Sequence, residues 1–131
     1  SNRSFNTNKT LWCGWVFEYT NFKCIFDGDT GYSKDFATIQ QKFGHMDLSL
    51  IPIGAYAPRW FMKDHHCNVE EAIQIHKDLR SKKSIAMHWG TFQLTDEPMD
   101  EPIKLLKKLT VEKKLLSDEF ITMTHGESKI L

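Results

Sequence analysis

Net charge, cysteine pairs and long apolar runs are what this sequence lacks, and each absence removes a class of function. Lys and Arg number 17, as do Asp and Glu, so the formal charge is zero. No long-range field steers such a chain to nucleic acid or to an acidic surface, and no nucleic-acid partner is expected. The three cysteines, Cys13, Cys24 and Cys67, are widely spaced, with no CxxC or zinc-knuckle pair among them. Free thiols in a reducing compartment are the plain reading, with a Cys13–Cys24 bridge across a hairpin as the alternative. No stretch of eighteen apolar residues occurs, so no membrane-crossing helix is expected. Internal repeats and low-complexity tracts are missing too, and the first residue is Ser1 rather than Met. A fragment or a processed product is the expectation that follows.

What is there suffices for a core. The 131 residues are 40% hydrophobic and 12% aromatic, which fits one domain or a large piece of one. Residues 1–9 are polar and read as a lead-in loop. Thr10 to Tyr19 and Phe22 to Phe26 are rich in aromatic and β-branched residues around a Thr20-Asn21 turn, the pattern of a β-hairpin. Ser33 then caps a helix carrying Phe36, Ile39 and Phe43 on one side, with Gly44 as its stop. Leu48 to Ile53 reads as a buried strand entering Gly54, and Ala55 to Cys67 as a long loop without period. Asn68 and Glu71 form a capping box for a helix with Ala72, Ile75 and Leu79 inward. A strand from Ser84 to Met87 follows. A turn and helix start at Pro98 to Pro102 leads into a stripe of Ile103, Leu106 and Leu109, and a last strand runs from Phe120 to Thr124. Strands alternating with helices give a layered α/β architecture.

Two residues stand where a short apolar strand runs out into a glycine-containing turn: Asp29 in Phe26-Asp27-Gly28-Asp29-Thr30-Gly31-Tyr32, and His88 in Ile85-Ala86-Met87-His88-Trp89-Gly90. An α/β protein presents ligands and catalytic groups outside the carboxyl ends of its strands. Aspartate and neutral histidine are both good zinc ligands, but zinc takes three protein ligands plus water, or four. The structural alternatives are an Asx-turn aspartate and a core histidine bonded to a carbonyl. Asp-Thr-Gly also occurs in aspartic proteases, which need two such carboxylates in an all-β body; Asp27 and Gly28 stand where that motif wants apolar residues. His65 and His66 are adjacent, so at most one faces a site. Trp60-Phe61-Met62 either lines an acyl-chain groove, touches a membrane surface, or is buried against the sheet.

Taken together, several segments resemble the metallo-β-lactamase superfamily, and within it the N-acylphosphatidylethanolamine-hydrolysing phospholipase D family. They are Asn8-Lys9-Thr10-Leu11-Trp12 with Gly14-Trp15, Gly28-Asp29-Thr30-Gly31-Tyr32, Ile51-Pro52-Ile53-Gly54-Ala55-Tyr56 and Pro58-Arg59-Trp60-Phe61-Met62. Glu70-Glu71-Ala72, Met87-His88-Trp89-Gly90-Thr91-Phe92 and His125-Gly126-Glu127-Ser128 complete the set. The resemblance implies that residues 1–131 are the C-terminal half of one metallo-β-lactamase-like αβ/βα sandwich. It also implies two zinc ions, bridged by Asp29, one of them bound by His88. The remaining ligands of that family, a His-x-His-x-Asp-His cluster and a further histidine, have no counterpart here.

The implied reaction is phospholipase D-type hydrolysis of N-acylphosphatidylethanolamine by metal-bound hydroxide, giving N-acylethanolamine and phosphatidic acid. Asp29 and His88 are the implied catalytic and metal residues, and His66, Tyr56 and Trp60 the implied substrate contacts. An N-acylated phospholipid partner, peripheral contact with an intracellular membrane and an inactive isolated chain are the further expectations, and a homodimer is left open. The alternatives are a hydrolase of another phosphoester or ester on the same fold, and a catalytically inactive truncated product.

Overall fold

The computed structural model describes residues 12–130. The residues before Trp12, including the lead-in loop at 1–9, the start of the first strand reading at Thr10 and the Asn8-to-Leu11 segment, lie outside them. Five strands form one sheet in the order β1-β2-β3-β4-β5: β1 Trp15–Tyr19, β2 Phe22–Phe26, β3 Leu48–Pro52, β4 Lys83–Met87 and β5 Phe120–Thr122. The first two strands are antiparallel, with Tyr19 opposite Phe22, so Thr20-Asn21 closes a two-residue hairpin as its sequence predicts. Every later pairing is parallel. Parallel neighbours need crossovers, and helices α1 (Asp35–Phe43), α3 (Val69–Asp78) and α4 (Glu101–Glu112) supply them.

The register sorts the sheet into two unlike faces. Ile25, Ser49, Ser84 and Phe120 fall in one cross-strand row, with Ile51 and Ala86 in the next inward row. These residues are buried, because α3 packs on this side between α1 and α4. Ile25, Ile51, Ile53, Ala72, Ile73, Ile75, Leu79 and Leu106 make the centre of the core. His76 belongs to it as a structural histidine: its Nδ1 lies 2.8 Å from Ser84 Oγ, and its ring stacks on Phe120.

The opposite face holds Trp15, Phe17, Tyr19, Phe22 and Phe26, with Leu50, Ile85 and Met87 beside them. Nothing among the described residues covers these aromatics: Phe17 is 57% exposed and Tyr19 80%. An apolar sheet face of this size is uncommon on a self-sufficient domain.

Local boundaries differ from the sequence reading in several places, and β3 and β4 each by one residue. The first strand begins at Trp15, because its partner strand ends at Phe26; beyond it Asp27 N–H turns to the Leu50 carbonyl at 3.2 Å. Lys34 takes the first-cap position of α1, and Ser33 instead accepts from the Asp35 amide at 3.2 Å. The long loop contains a single helical turn, α2 (Arg59–Met62), too short to show a period in sequence. The last strand stops at Thr122. The capping box forms as read, Asn68 accepting from the Glu71 amide and Glu71 from the Asn68 amide.

Candidate functional site

The loops leaving β2, β3 and β4 meet at one end of the sheet. Thr30 O accepts from the Cys67 amide at 2.8 Å, which ties the Asp29 loop to the His66 segment. Gly31 is pressed against the same segment, where a Cβ would stand 2.8 Å from Lys63 O. A closer approach joins β3 to β4: a Cβ on Gly54 would lie 2.2 Å from the carbonyl oxygen of His88. His88 itself takes a left-handed backbone, φ 57°, at the strand end. Such strain in a non-glycine residue persists only where its surroundings over-determine it, and here it aims the imidazole across the sheet end.

That aim brings the two residues singled out by sequence together. His88 Nε2 lies 3.3 Å from Asp29 Oδ1. The Asp29 carboxylate is largely open to solvent, whereas His88 is three-quarters covered. His66 stacks on His88, with ring centroids 5.1 Å apart and planes 20° from parallel. Both rings carry a buried Nδ1 with no hydrogen-bond partner among the described residues. Burial lowers the His66 pKa below its ordinary value, and His88 lowers it further against the pull of Asp29, so His66 is neutral at pH 7.

The His66 segment is held from α3. Arg59 donates from Nη1 to the His66 carbonyl at 2.7 Å and makes a two-pronged pair with Glu71 at 2.9 and 2.8 Å. Glu71 therefore serves both the helix cap and the loop. His65 points the other way, edge-on to Trp12 and beside Phe61, as adjacency requires.

The other sequence-proposed residues are spread out. Trp60 is 85% exposed at the head of α2, packed edge-on with Phe61. Tyr56 is buried and turned toward α4, its hydroxyl donating to Glu101 Oε1 at 2.6 Å. Burial, and then that carboxylate, push its pKa well above the usual tyrosine range.

Three features lay outside the sequence reading. Glu97, almost fully buried, accepts from the amides of Tyr56 and Ala57 at 3.2 and 3.0 Å. Beside His88 lies a cleft of about 270 Å³, with Trp89, Phe92, Leu94 and Met99 among its walls. Asp27 is 6% exposed, and both its carboxylate oxygens lack partners among the described residues. Burial pushes its pKa up to about 7. Nothing local marks this burial, because it depends on elements packed over the strand end.

Two donors on adjacent loops suit a metal ion. Ligands at 2.0–2.2 Å from a tetrahedral zinc lie about 3.4 Å from each other, close to the 3.3 Å between His88 Nε2 and Asp29 Oδ1. The pair fits as part of a donor set. Among the described residues no group of three or more His, Cys, Asp or Glu is placed to hold a metal, so the pair does not complete one.

A beta-lactamase superfamily domain model matches residues 1–89 of this sequence. N-acyl-phosphatidylethanolamine-hydrolyzing phospholipase D 1 of Caenorhabditis elegans is 46% identical over 123 residues, 92% of this chain and 35% of that protein. The chain belongs to the metallo-β-lactamase superfamily, in its N-acylphosphatidylethanolamine-hydrolysing phospholipase D family. The mitochondrial N-acyl-phosphatidylethanolamine-hydrolyzing phospholipase D of Saccharomyces cerevisiae is 42% identical, over 79% of this chain and 23% of its own length. Isothiocyanate hydrolase from Delia radicum gut bacteria superimposes with a TM-score of 0.73 over 91% of this chain and 43% of that one; at 19% identity the likeness is one of fold. The chain thus spans about a third or less of the two curated relatives named here. Its α/β fold is that of metallo-β-lactamase hydrolases, and its relatives are hydrolases. No helix among the described residues is long and apolar enough to cross a membrane.

Proposed function

We propose that this chain is the C-terminal half of a metallo-β-lactamase-type domain. In our reading it contributes Asp29 and His88 to the dizinc centre of a phospholipase D-type phosphodiesterase acting on N-acylphosphatidylethanolamine. The observation that carries the reading is the 3.3 Å approach of His88 Nε2 to Asp29 Oδ1, a tetrahedral edge between two groups on different strand ends. Asp29 and His88 would hold metal whose chemistry there would be to acidify a water and to neutralise charge on the phosphoryl oxygens.

This chain's own residues have distinct tasks. Asp29, open on one side, would be a metal ligand, and Gly54 fixes the carbonyl side of His88 so that its Nε2 faces the carboxylate. His66, neutral and stacked on His88, offers a hydrogen bond to a lipid phosphate or its leaving oxygen without adding charge beside the metal. The apolar cleft bounded by Trp89, Phe92, Leu94 and Met99 suits an acyl chain entering beside His88. Trp60, Phe61, Phe92 and Leu94 are exposed around this end and suit peripheral contact with a membrane that presents the lipid. N-acylethanolamine and phosphatidic acid are the products this reading requires.

The uncovered sheet face, Trp15 to Phe26, is where the other half of the sandwich would pack, bringing the missing ligands to the same end. Isolated residues 1–131 are then expected to aggregate and to show no turnover; a monomer unfolding in one cooperative transition would count against this half-domain reading.

The chemistry is tested in the full-length protein. Asp29→Asn and His88→Ala should lower zinc content, measured by atomic emission, together with turnover of N-acylphosphatidylethanolamine. Unchanged turnover in either variant refutes the assignment of that residue. Turnover of soluble phosphodiesters with none of the lipid would move the substrate elsewhere and leave the metal assignment standing.

A further inference from the structure

Asp27 is buried and neither of its carboxylate oxygens has a partner among the described residues, which needs a reason, since an uncompensated carboxylate inside a protein is costly to desolvate. It follows β2, so period-two alternation puts its side chain on the helix-covered side with Ile25, opposite Phe26. There it lines a cleft of about 630 Å³ between the β1–β2 hairpin and α1, a volume typical of small-molecule sites, which run about 300–1,000 Å³. Val16, Ile25, Phe36, Ile39 and Phe43 make its walls apolar. Among the described residues its charged lining is entirely acidic: besides Asp27 and Asp29 it has Asp35 and Asp64, and no Lys, Arg or His. The lysine of the preceding strand, Lys23, is turned to the Phe43 carbonyl and to Glu18.

Apolar walls with a buried carboxylate and an acidic rim select a cation that carries a hydrocarbon tail. Anionic amphiphiles meet like charge on every side, and a neutral one leaves Asp27 unpaired. We propose that this cleft is a second ligand site for a protonated aliphatic amine, its ammonium on the Asp27 carboxylate and its tail along Ile25, Phe36 and Ile39. Asp29 stands at its edge, but the contacts proposed for the amine involve neither a metal nor His88.

Titration calorimetry on the full-length protein at pH 8 tests this, with decylammonium, 1-decanol and decanoate each below its micelle concentration. Decylammonium should bind saturably, at least tenfold tighter than 1-decanol, and decanoate should not bind. Asp27→Asn should bring decylammonium down to the affinity of 1-decanol, and Ile39→Trp, which fills the cleft, should weaken both at least fivefold. Equal affinity for amine and alcohol in the native protein, an amine preference that survives Asp27→Asn, or amine binding unmoved by Ile39→Trp would each overturn the proposal.

Discussion

Replacing Asp27 by asparagine should stabilise the protein at neutral and alkaline pH and leave it unchanged in acid. Burial holds the Asp27 pKa at about 7 in the folded chain, against an ordinary value of 3.8. An acid with a raised folded-state pKa binds its proton more tightly folded than unfolded. Its contribution to stability is therefore complete below about pH 4, declines as pH rises, and is gone by about pH 7. Three pH units at 1.36 kcal/mol each make a loss of about 4 kcal/mol, reduced to about 2 if water reaches the cleft when the group ionises. Asparagine keeps the shape and stays neutral, and a buried amide costs about as much as the protonated acid. Urea unfolding of native and Asp27→Asn protein should give stabilities within about 1 kcal/mol at pH 4 and a gain of about 2–4 kcal/mol for the variant at pH 8. Other groups titrate alike in both proteins, so the difference isolates Asp27. A variant less stable at pH 8, or a difference that does not change from pH 4 to 8, would show that the carboxylate has a partner in solution.

Gly54→Ala should be far more damaging than its size suggests. A Cβ there meets His88 O at 2.2 Å, so the backbone must part by about 1 Å, and a misplacement of that size costs about a hundredfold in rate; zinc content and turnover measured together check it, and near-native values for both would refute it. Glu97→Gln should cost about 1–3 kcal/mol at pH 7 through weakened bonds to the Tyr56 and Ala57 amides. Burial acts to raise the Glu97 pKa, but its hydrogen bonds win and hold it below the ordinary value. That stability is present above the usual carboxylate range and lost as pH falls through the lowered pKa, so the gap between the two proteins, read from thermal unfolding, should close in acid.

How far the sequence carried the fold follows from which signals are local. The hairpin was legible because Thr20-Asn21 sits between two matched runs. The α3 start was legible because Asn68 and Glu71 satisfy each other's amides within one turn. Boundaries failed where a neighbour decides them. Trp12 to Gly14 carry on the composition of a strand, but β2 has no residue left to pair with them after Phe26. One turn of helix at Arg59–Met62 buries none of its residues and so leaves no apolar period to read. Trp60 and Phe61, whose composition allowed either burial or exposure, proved exposed.

The site divides along the same line. Asp29 and His88 stood out because a polar residue between an apolar strand and a glycine turn is a local pattern, although an Asx turn and a core histidine would have left the same trace. Their approach to 3.3 Å was not visible, since it depends on β2 and β4 flanking β3, whose Gly54 accepts the His88 carbonyl. Glu97 was invisible for the same reason: an acid in a polar loop reads as solvated until the amides it caps, some 40 positions earlier, fold beneath it. Asp27 is the sharper case. Its neighbour Asp29, two positions on, shares its chemistry, lies on the same strand-to-loop turn and borders the same cleft, yet Asp29 is open to solvent and Asp27 is closed in. Two aspartates alike in charge and parity along the chain thus differ in burial and in what they meet: Asp27 is closed off, with no partner among the described residues, and Asp29 faces His88.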